Sequence, residues 1–345
     1  MREQLLALAL LTPAFLAVTA WRCPGVPHSS GAIREDAKAI ASSMSVDVAT
    51  FTADLNWMAS SPHPMGSARQ SEVTSYLKRR VEESGARAEV QEFKAEVPNP
   101  AALTGPAPLT RVVTGRNVYA WPDRFETGDQ TGKKCVVLIA SHYDTKNVEG
   151  ITYTGANDSG SSSAALLQIL RHLKSVPFPP EMRCAIGLAW FDGEESTLPG
   201  WSDGETSFPK KIVDNTWGSR HAASQSFSRD LAGLVLLDMI GSPELRITRD
   251  AHSTSSMMKL MESAVDALGY PSSLLTPDFL PVEDDHVPFL AKGIPALNII
   301  DFNDLSVWHA PGDEPLRVNP KSVEKASRIG VLVSLMAAMD PQAIR

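Results

Sequence analysis

Apolar positions along the chain follow two patterns. Continuous apolar runs at residues 135–141 (CVVLIAS), 184–191 (CAIGLAWF), 231–239 and 296–300 read as strands buried on both faces. Between them, apolar residues recur at helical spacing. They do so over 48–59, over 71–84 through Val73, Tyr76, Leu77 and Val81, and over 164–173. Residues 219–227 also read as helical, as do 253–268 through Met257, Met258, Leu260, Met261 and Val265. A last helix is predicted over 319–339, with Asn319 as its cap and Pro320 in its first turn. Gly85 stands where the second helix should stop. Residues 88–93 and 116–121 read as a hairpin with a long excursion through the Pro-rich stretch 97–108. Doubly buried strands alternating with helices predict an α/β fold. It is a three-layer sandwich whose mixed, mostly parallel central sheet is flanked by helices on both faces.

The ends of the chain read differently. Arg2 precedes an apolar run from Leu5 to Ala20 that closes on Val18-Thr19-Ala20. Residues 1–20 are therefore expected to be an export signal, with an N-terminal anchor as the alternative. The run is shorter than the roughly 20 residues that span a bilayer, and Pro13 interrupts it. Residues 21–45, rich in Pro, Gly, Ser and Ala, read as a linker, and 46–345 as one catalytic domain. The expected location is periplasmic or secreted, with membrane contact only through an uncleaved N-terminus, and the expected state is a monomer.

Composition narrows the function. Of 345 residues, 43% are hydrophobic and 21% charged, which excludes a disordered protein, a collagen or a coiled coil. Lys and Arg total 32 against 40 acidic residues, a net charge of −8 that argues against nucleic acid as a partner. Three cysteines, Cys23, Cys135 and Cys184, are too few for a thiolate zinc cluster. Cys135 and Cys184 read most simply as small buried residues, and a bridge between them stays open. Any metal must be held by His, Asp and Glu.

Those residues gather where the predicted strands end. The first run leads into His142-Tyr143-Asp144-Thr145, and GANDSG (155–160) opens the next helix. The second run leads into Asp192-Gly193-Glu194-Glu195, the third into Asp238-Met239-Ile240-Gly241, and Trp308-His309 lies beyond the fourth. A doubly wound sheet collects its ligands at these carboxyl ends. Imidazole and carboxylate without sulfur suit a catalytic zinc with an open position. In the Glu194-Glu195 pair one carboxylate can bind metal while the other stays free as general acid/base. One Asp-Ser-Gly is more often a helix cap and one Glu-Glu a solvated turn, but five such clusters at successive strand ends are not explained that way.

HYDT, GANDSG, FDGEE, DMIG and the late WH resemble the M28 zinc peptidase superfamily over about residues 55–340. Trp201-Ser202, WGSRH (217–221), EDDHVPFL (283–290) and Val307-Trp308-His309 are more similar to its glutaminyl-peptide cyclotransferases than to its aminopeptidases. The resemblance implies that Asp158, Glu195 and His309 hold a zinc ion and that Glu194 is the general acid/base. It implies that Asp238 and Asp284 form an acidic network around the substrate amine, and that Trp201 and Trp308 wall the pocket, with Glu283 beside them. The expected reaction is cyclisation of a peptide's N-terminal glutamine to pyroglutamate with release of ammonia. The alternative is a two-zinc aminopeptidase in which His142 and Asp238 hold a second metal with Asp158 bridging. The substrate in either case is a peptide or protein N-terminus.

The sequence departs from the cyclotransferase pattern in several places. Ser141 and Ser163 stand where animal members have a disulfide, Asn298 replaces a frequent histidine, and Glu283 replaces a glutamine. The segment 202–215 is longer and more charged than its counterpart. PHPMGS (62–67) and Asn117-Val118 look more like ordinary M28 peptidases. His63 reads as a turn residue and His172 and His252 as surface histidines without acidic companions. His286 reads equally as a structural or a catalytic residue. Lys133-Lys134 and Lys210-Lys211 read as solvated charges, and Trp57 and Trp190 as core.

Overall fold

The computed structural model describes residues 33–121, 135–303 and 305–345. These open with three helices, α1 (Glu35–Ser43), α2 (Val48–Met58) and α3 (Ala68–Glu83). A hairpin of β1 (Arg87–Pro98) and β2 (Thr110–Trp121) follows, then β3 (Val136–His142), α4 (Ser162–Ser175) and β4 (Ala185–Phe191). After α5 (Asp203–Thr206) and α6 (Trp217–Ser224) come β5 (Leu231–Asp238), β6 (Ile247–Asp250), α7 (Ser255–Ala267) and β7 (Leu275–Leu280). The fold closes with α8 (Val287–Leu290), β8 (Ala296–Ile300) and α9 (Pro320–Met339).

The central sheet has the order β1-β2-β4-β3-β5-β8. β4, β3, β5 and β8 are parallel, and β2 pairs antiparallel with both of its neighbours. Alternate residues of one strand feed two cores. Val137 and Ile139 of β3 pack with the helices α1 to α4, α7 and α9, whereas Val136, Leu138 and Ala140 pack on the other side with Ala222, Ala223 and Phe289. That alternation explains why the strands read as unbroken apolar runs. The sequence order reverses beside β3, which has β4 on one side and β5 on the other. The crevice at the carboxyl end of β3 is therefore where such a sheet binds ligands.

Three readings change. The stretch taken as a linker contains α1, whose Ala37 and Ala41 are fully buried, with His172 Nε2 at 2.9 Å from Ile40 O. Small residues hid it, because Ala makes a close helix contact without a large apolar signal. Cys135 and Cys184 are bonded to each other, so the reading of two separate buried thiols falls and the open alternative holds. The bridge closes the amino ends of two paired strands, β3 and β4. Finally, β6 and β7 form a small parallel sheet of their own, too short and too polar (ITRD, LTPDFL) for the pattern to show. The N-terminal segment 1–32, Cys23 and Lys133-Lys134 lie outside the described residues.

Candidate active site

Each strand delivers its polar cluster to the same crevice. His142 is the last residue of β3 and Asp238 the last of β5, so in-register parallel pairing sets them at one level of the sheet. Beyond β4 the backbone turns at Gly193, whose φ of +74° a side chain would strain. The turn brings the backbone N–H groups of Glu194 and Glu195 onto the Asp144 carboxylate at 3.0 and 3.3 Å, which orients both glutamates. Asp158 sits in the kinked turn Ala156–Ser161, where its own backbone leaves the helical region at φ −109° and ψ 88°, and the turn is entered through Gly155 at φ +58°. Among the described residues, three that are not glycine hold left-handed φ, and all serve this site. Met239 and His309 line its cavity, and Thr216 donates its N–H to Glu194 O at 2.8 Å.

The cavity has a volume of about 350 Å³ and is walled by Trp201, Trp308, Phe302, Met239, Val282 and Ile300. Asp158, Glu194, Glu195, Asp238, Glu283, Asp284 and His309 line it, with no lysine or arginine among the described residues. All the sequence-predicted site residues are thus brought together, and all line the cavity except His142, which is fully buried beneath the floor. The ligand-type atoms form two triads that share Asp158: one of Asp158, Glu195 and His309, the other of His142, Asp158 and Asp238. In the first, His309 Nε2 lies 3.0 Å from Glu195 Oε1 and 3.5 Å from Asp158 Oδ2. In the second, His142 Nε2 lies 3.1 Å from Asp158 Oδ1 and 3.3 Å from Asp238 Oδ1.

The electrostatics follow from crowding acids out of water. Burial raises the Glu194 carboxyl well above its ordinary range; His142 opposes this, while Glu195, Asp284 and Asp285 add to it. Burial and the charge of Asp238 push Asp284 up to about 7. Asp158 goes the other way: burial works against its charge, but hydrogen bonds and charge from His142 and His309 hold it well below the carboxylate range. Both imidazoles are lifted against burial by surrounding carboxylates, His309 to about 9. Acids that retain protons because too little positive charge surrounds them suit a cation. Glu195 Oε2 is buried with no hydrogen-bond partner among the described residues, and the O,O,N donor set of the first triad fits a divalent ion of the zinc type.

Several supports were not legible in the sequence. Tyr153 donates to Asp158 Oδ2 at 2.8 Å and sets its ring edge-on to His309. Asp313 accepts the N–H groups of Asn157 and Asp158 at 2.7 and 3.2 Å. Its only sequence signal is the turn Pro311-Gly312-Asp313 after His309. Lys146 is buried and donates to the carbonyls of Ser196 and Leu198, both at 2.7 Å, anchoring the loop behind the glutamates. Asn298 donates to Asp284 Oδ2 at 2.9 Å. Ser141 and Ser163 lie with hydroxyls 3.4 Å apart.

Other motif residues lie outside the cavity. WGSRH forms α6 behind the glutamate turn, with Trp217 N–H on Gly193 O at 2.7 Å. His63 is buried rather than in an open turn, with Nδ1 3.0 Å from Ser61 O. His252 does have acidic company: Asp250, His252 and His286 converge, with His286 Nε2 2.9 Å from Asp250 Oδ2. Asp250 already accepts from the N–H groups of His252, Ser253 and Val282 and from Ser253 Oγ, so this group works as a clamp on the segment leading to Glu283. Trp190 is core, whereas Trp57 is half-buried, stacked on Tyr76 under Arg69. Lys210 is exposed and paired with Glu96.

Comparison with known proteins agrees with this geometry. The model of peptidase family M28 matches residues 124–333. A glutaminyl-peptide cyclotransferase of Drosophila melanogaster is 25% identical over 278 residues, covering 73% of the present sequence and 70% of its own. Further relatives of that name match over little more than half their own length. Among solved structures, an Acidobacteriales bacterium glutaminyl cyclase superposes with a TM-score of 0.66 at 24% identity, covering 95% of this protein and 99% of that one. A Zn-dependent exopeptidase from Parabacteroides distasonis gives 0.65 at 19% identity, covering 84% and 98%. The two structures establish the shared fold.

Proposed function

The protein belongs to peptidase family M28, and on that footing we propose that it is a glutaminyl cyclase-like enzyme that closes the N-terminal glutamine of a peptide to pyroglutamate, releasing ammonia. One observation carries the reading. The cavity is small enough for a single side chain, and its lining combines Glu194, Asp238 and Asp284 with the two tryptophans Trp201 and Trp308. The names of the curated relatives support it.

In this reading Asp158, Glu195 and His309 hold one zinc ion, which when bound polarises the γ-carbonyl of the glutamine. Glu194 accepts a proton from the substrate's α-amine as that nitrogen bonds to Cδ, and returns it to the ammonia that leaves as the carboxamide C–N bond breaks. A carboxyl that burial has made a good proton holder suits both halves of that transfer. Asp238 and Asp284 accept hydrogen bonds from the amine, and Asn298 keeps the Asp284 carboxyl in place. Trp201 and Trp308 keep water from the bond being broken, which favours the tethered amine as nucleophile. Export through residues 1–20 belongs to the same proposal, and the Cys135–Cys184 bridge supports an oxidising destination.

A two-metal aminopeptidase is the second reading, favoured by the His142, Asp158 and Asp238 triad. Metal content measured alongside turnover of glutamine-led and leucine-led peptides separates the two. One zinc per protein molecule with ammonia released from the glutamine peptide is the expected result. Two zincs with free leucine would replace the first reading by the second.

A further inference from the structure

The mouth of the cavity carries a charge that the chemistry at its base does not use. Glu283 is exposed, on the segment between β7 and α8, and it lines the cavity beside Asp284. Its Oε2 accepts from Trp201 Nε1 at 3.2 Å, so the carboxylate is tied across the opening to one of the tryptophan walls by a neutral donor. Among the described residues, no lysine or arginine lines the cavity. Of the cations nearby, Arg220 feels the charges of Glu205, Glu283 and Asp285, but its donors bond the backbone and side-chain oxygens of Asn215 at 3.3 Å, and it makes no ion pair with Glu283 among the described residues. Lys146 is buried on the carbonyls of Ser196 and Leu198. Among the described residues, the charged side chains that line the cavity with Glu283 are the acids Asp158, Glu194, Glu195, Asp238 and Asp284, and His309.

A peptide with its first residue in the cavity must lead its second residue out past this point. We propose that Glu283 selects the substrate at its second position: the enzyme takes peptides with a basic or neutral second residue and discriminates against an acidic one. The inference rests on the reading of the cavity as the seat of a peptide's first residue. An exposed pair is worth little, but a lysine is attracted where a glutamate is repelled, so the two effects add. Salt should screen both, since the mouth is open to solvent.

The test compares kcat/KM for Gln-Lys, Gln-Ala and Gln-Glu peptides of otherwise identical sequence at low and high ionic strength. Leucine-led counterparts run in parallel make the charge order readable whichever chemistry the cavity performs. The expected order is Lys, Ala, Glu, with about tenfold between the extremes at low salt, falling to about twofold in roughly 0.5 M sodium chloride. Glu283→Gln keeps an oxygen for the Trp201 indole and should erase the order, and Glu283→Lys should invert it. Equal rates on all three peptides, or an order unchanged in Glu283→Gln, would overturn the proposal. Activity on the leucine series alone, still in the expected order, would remove the cyclase reading and leave the charge selection standing. Silence in both series would remove both.

Discussion

The two triads around Asp158 use the same chemistry in different surroundings. The outer one, with Glu195 and His309, faces the cavity: the His309 side chain is 17% exposed and Glu195 keeps one buried oxygen without a partner among the described residues. The inner one, with His142 and Asp238, lies under the floor, where a fully buried imidazole touches Asp144, Asp158 and Asp238 within 3.6 Å. Ligand types alone would make them equivalent. Burial separates them, because an imidazolium ringed by carboxylates already supplies the positive charge that a metal would bring. In the proposed reading the outer triad is the metal seat and the inner histidine holds the acids together.

Breaking that distinction starts with the proton carrier between them. Glu194→Gln should lower kcat by about a thousandfold, the middle of the range for a lost general acid/base, while zinc stays bound by elemental analysis. Zinc lost along with turnover would mean that the two glutamates have exchanged roles. The triads themselves come next. His309→Ala should release the metal on dialysis and abolish activity, whereas His142→Asn should retain one equivalent and show its damage as a lowered melting temperature. The opposite pattern would make the inner triad the metal seat.

The smallest effect should come from the clamp beside the mouth, outside both triads. Burial opposes the Asp250 charge, but His286 and the donors of Ser253 and Val282 hold its carboxyl down to about 2, against an ordinary value of 3.8. A folded value below the unfolded one means stability that is present above about pH 4 and lost as pH falls through about 2. Asp250→Asn should flatten the melting temperature against pH across that window and leave metal content unchanged. An unaltered acid limb would remove this role.

The elements most legible in the sequence were those whose pattern has one physical explanation. β3, β4, β5 and β8 appear as apolar runs because both faces are covered, and α9 carries its cap, since Asn319 accepts from Lys321 N–H. The polar clusters at their ends were legible too, because each follows its strand directly. α1 and the β6–β7 sheet were not, since their contacts come from small or polar residues whose partners lie far along the sequence. Asp144 looked like one more member of the HYDT motif, yet its carboxylate orients the two glutamates through their backbone. Asp313 gave no sign of reaching Asp158 across 155 residues.

The sequence by itself determined the layered α/β fold and the inventory of acids and histidines at the strand ends, because periodicity and spacing are local properties of a polypeptide. Only the tertiary structure decided which of those groups face the cavity and which are sealed beneath it. It also decided that Cys135 and Cys184 meet, and that Glu283 stands at the mouth. Burial, distance and the company of other charges come from packing segments remote in the sequence, and those quantities set what a carboxylate or an imidazole can do.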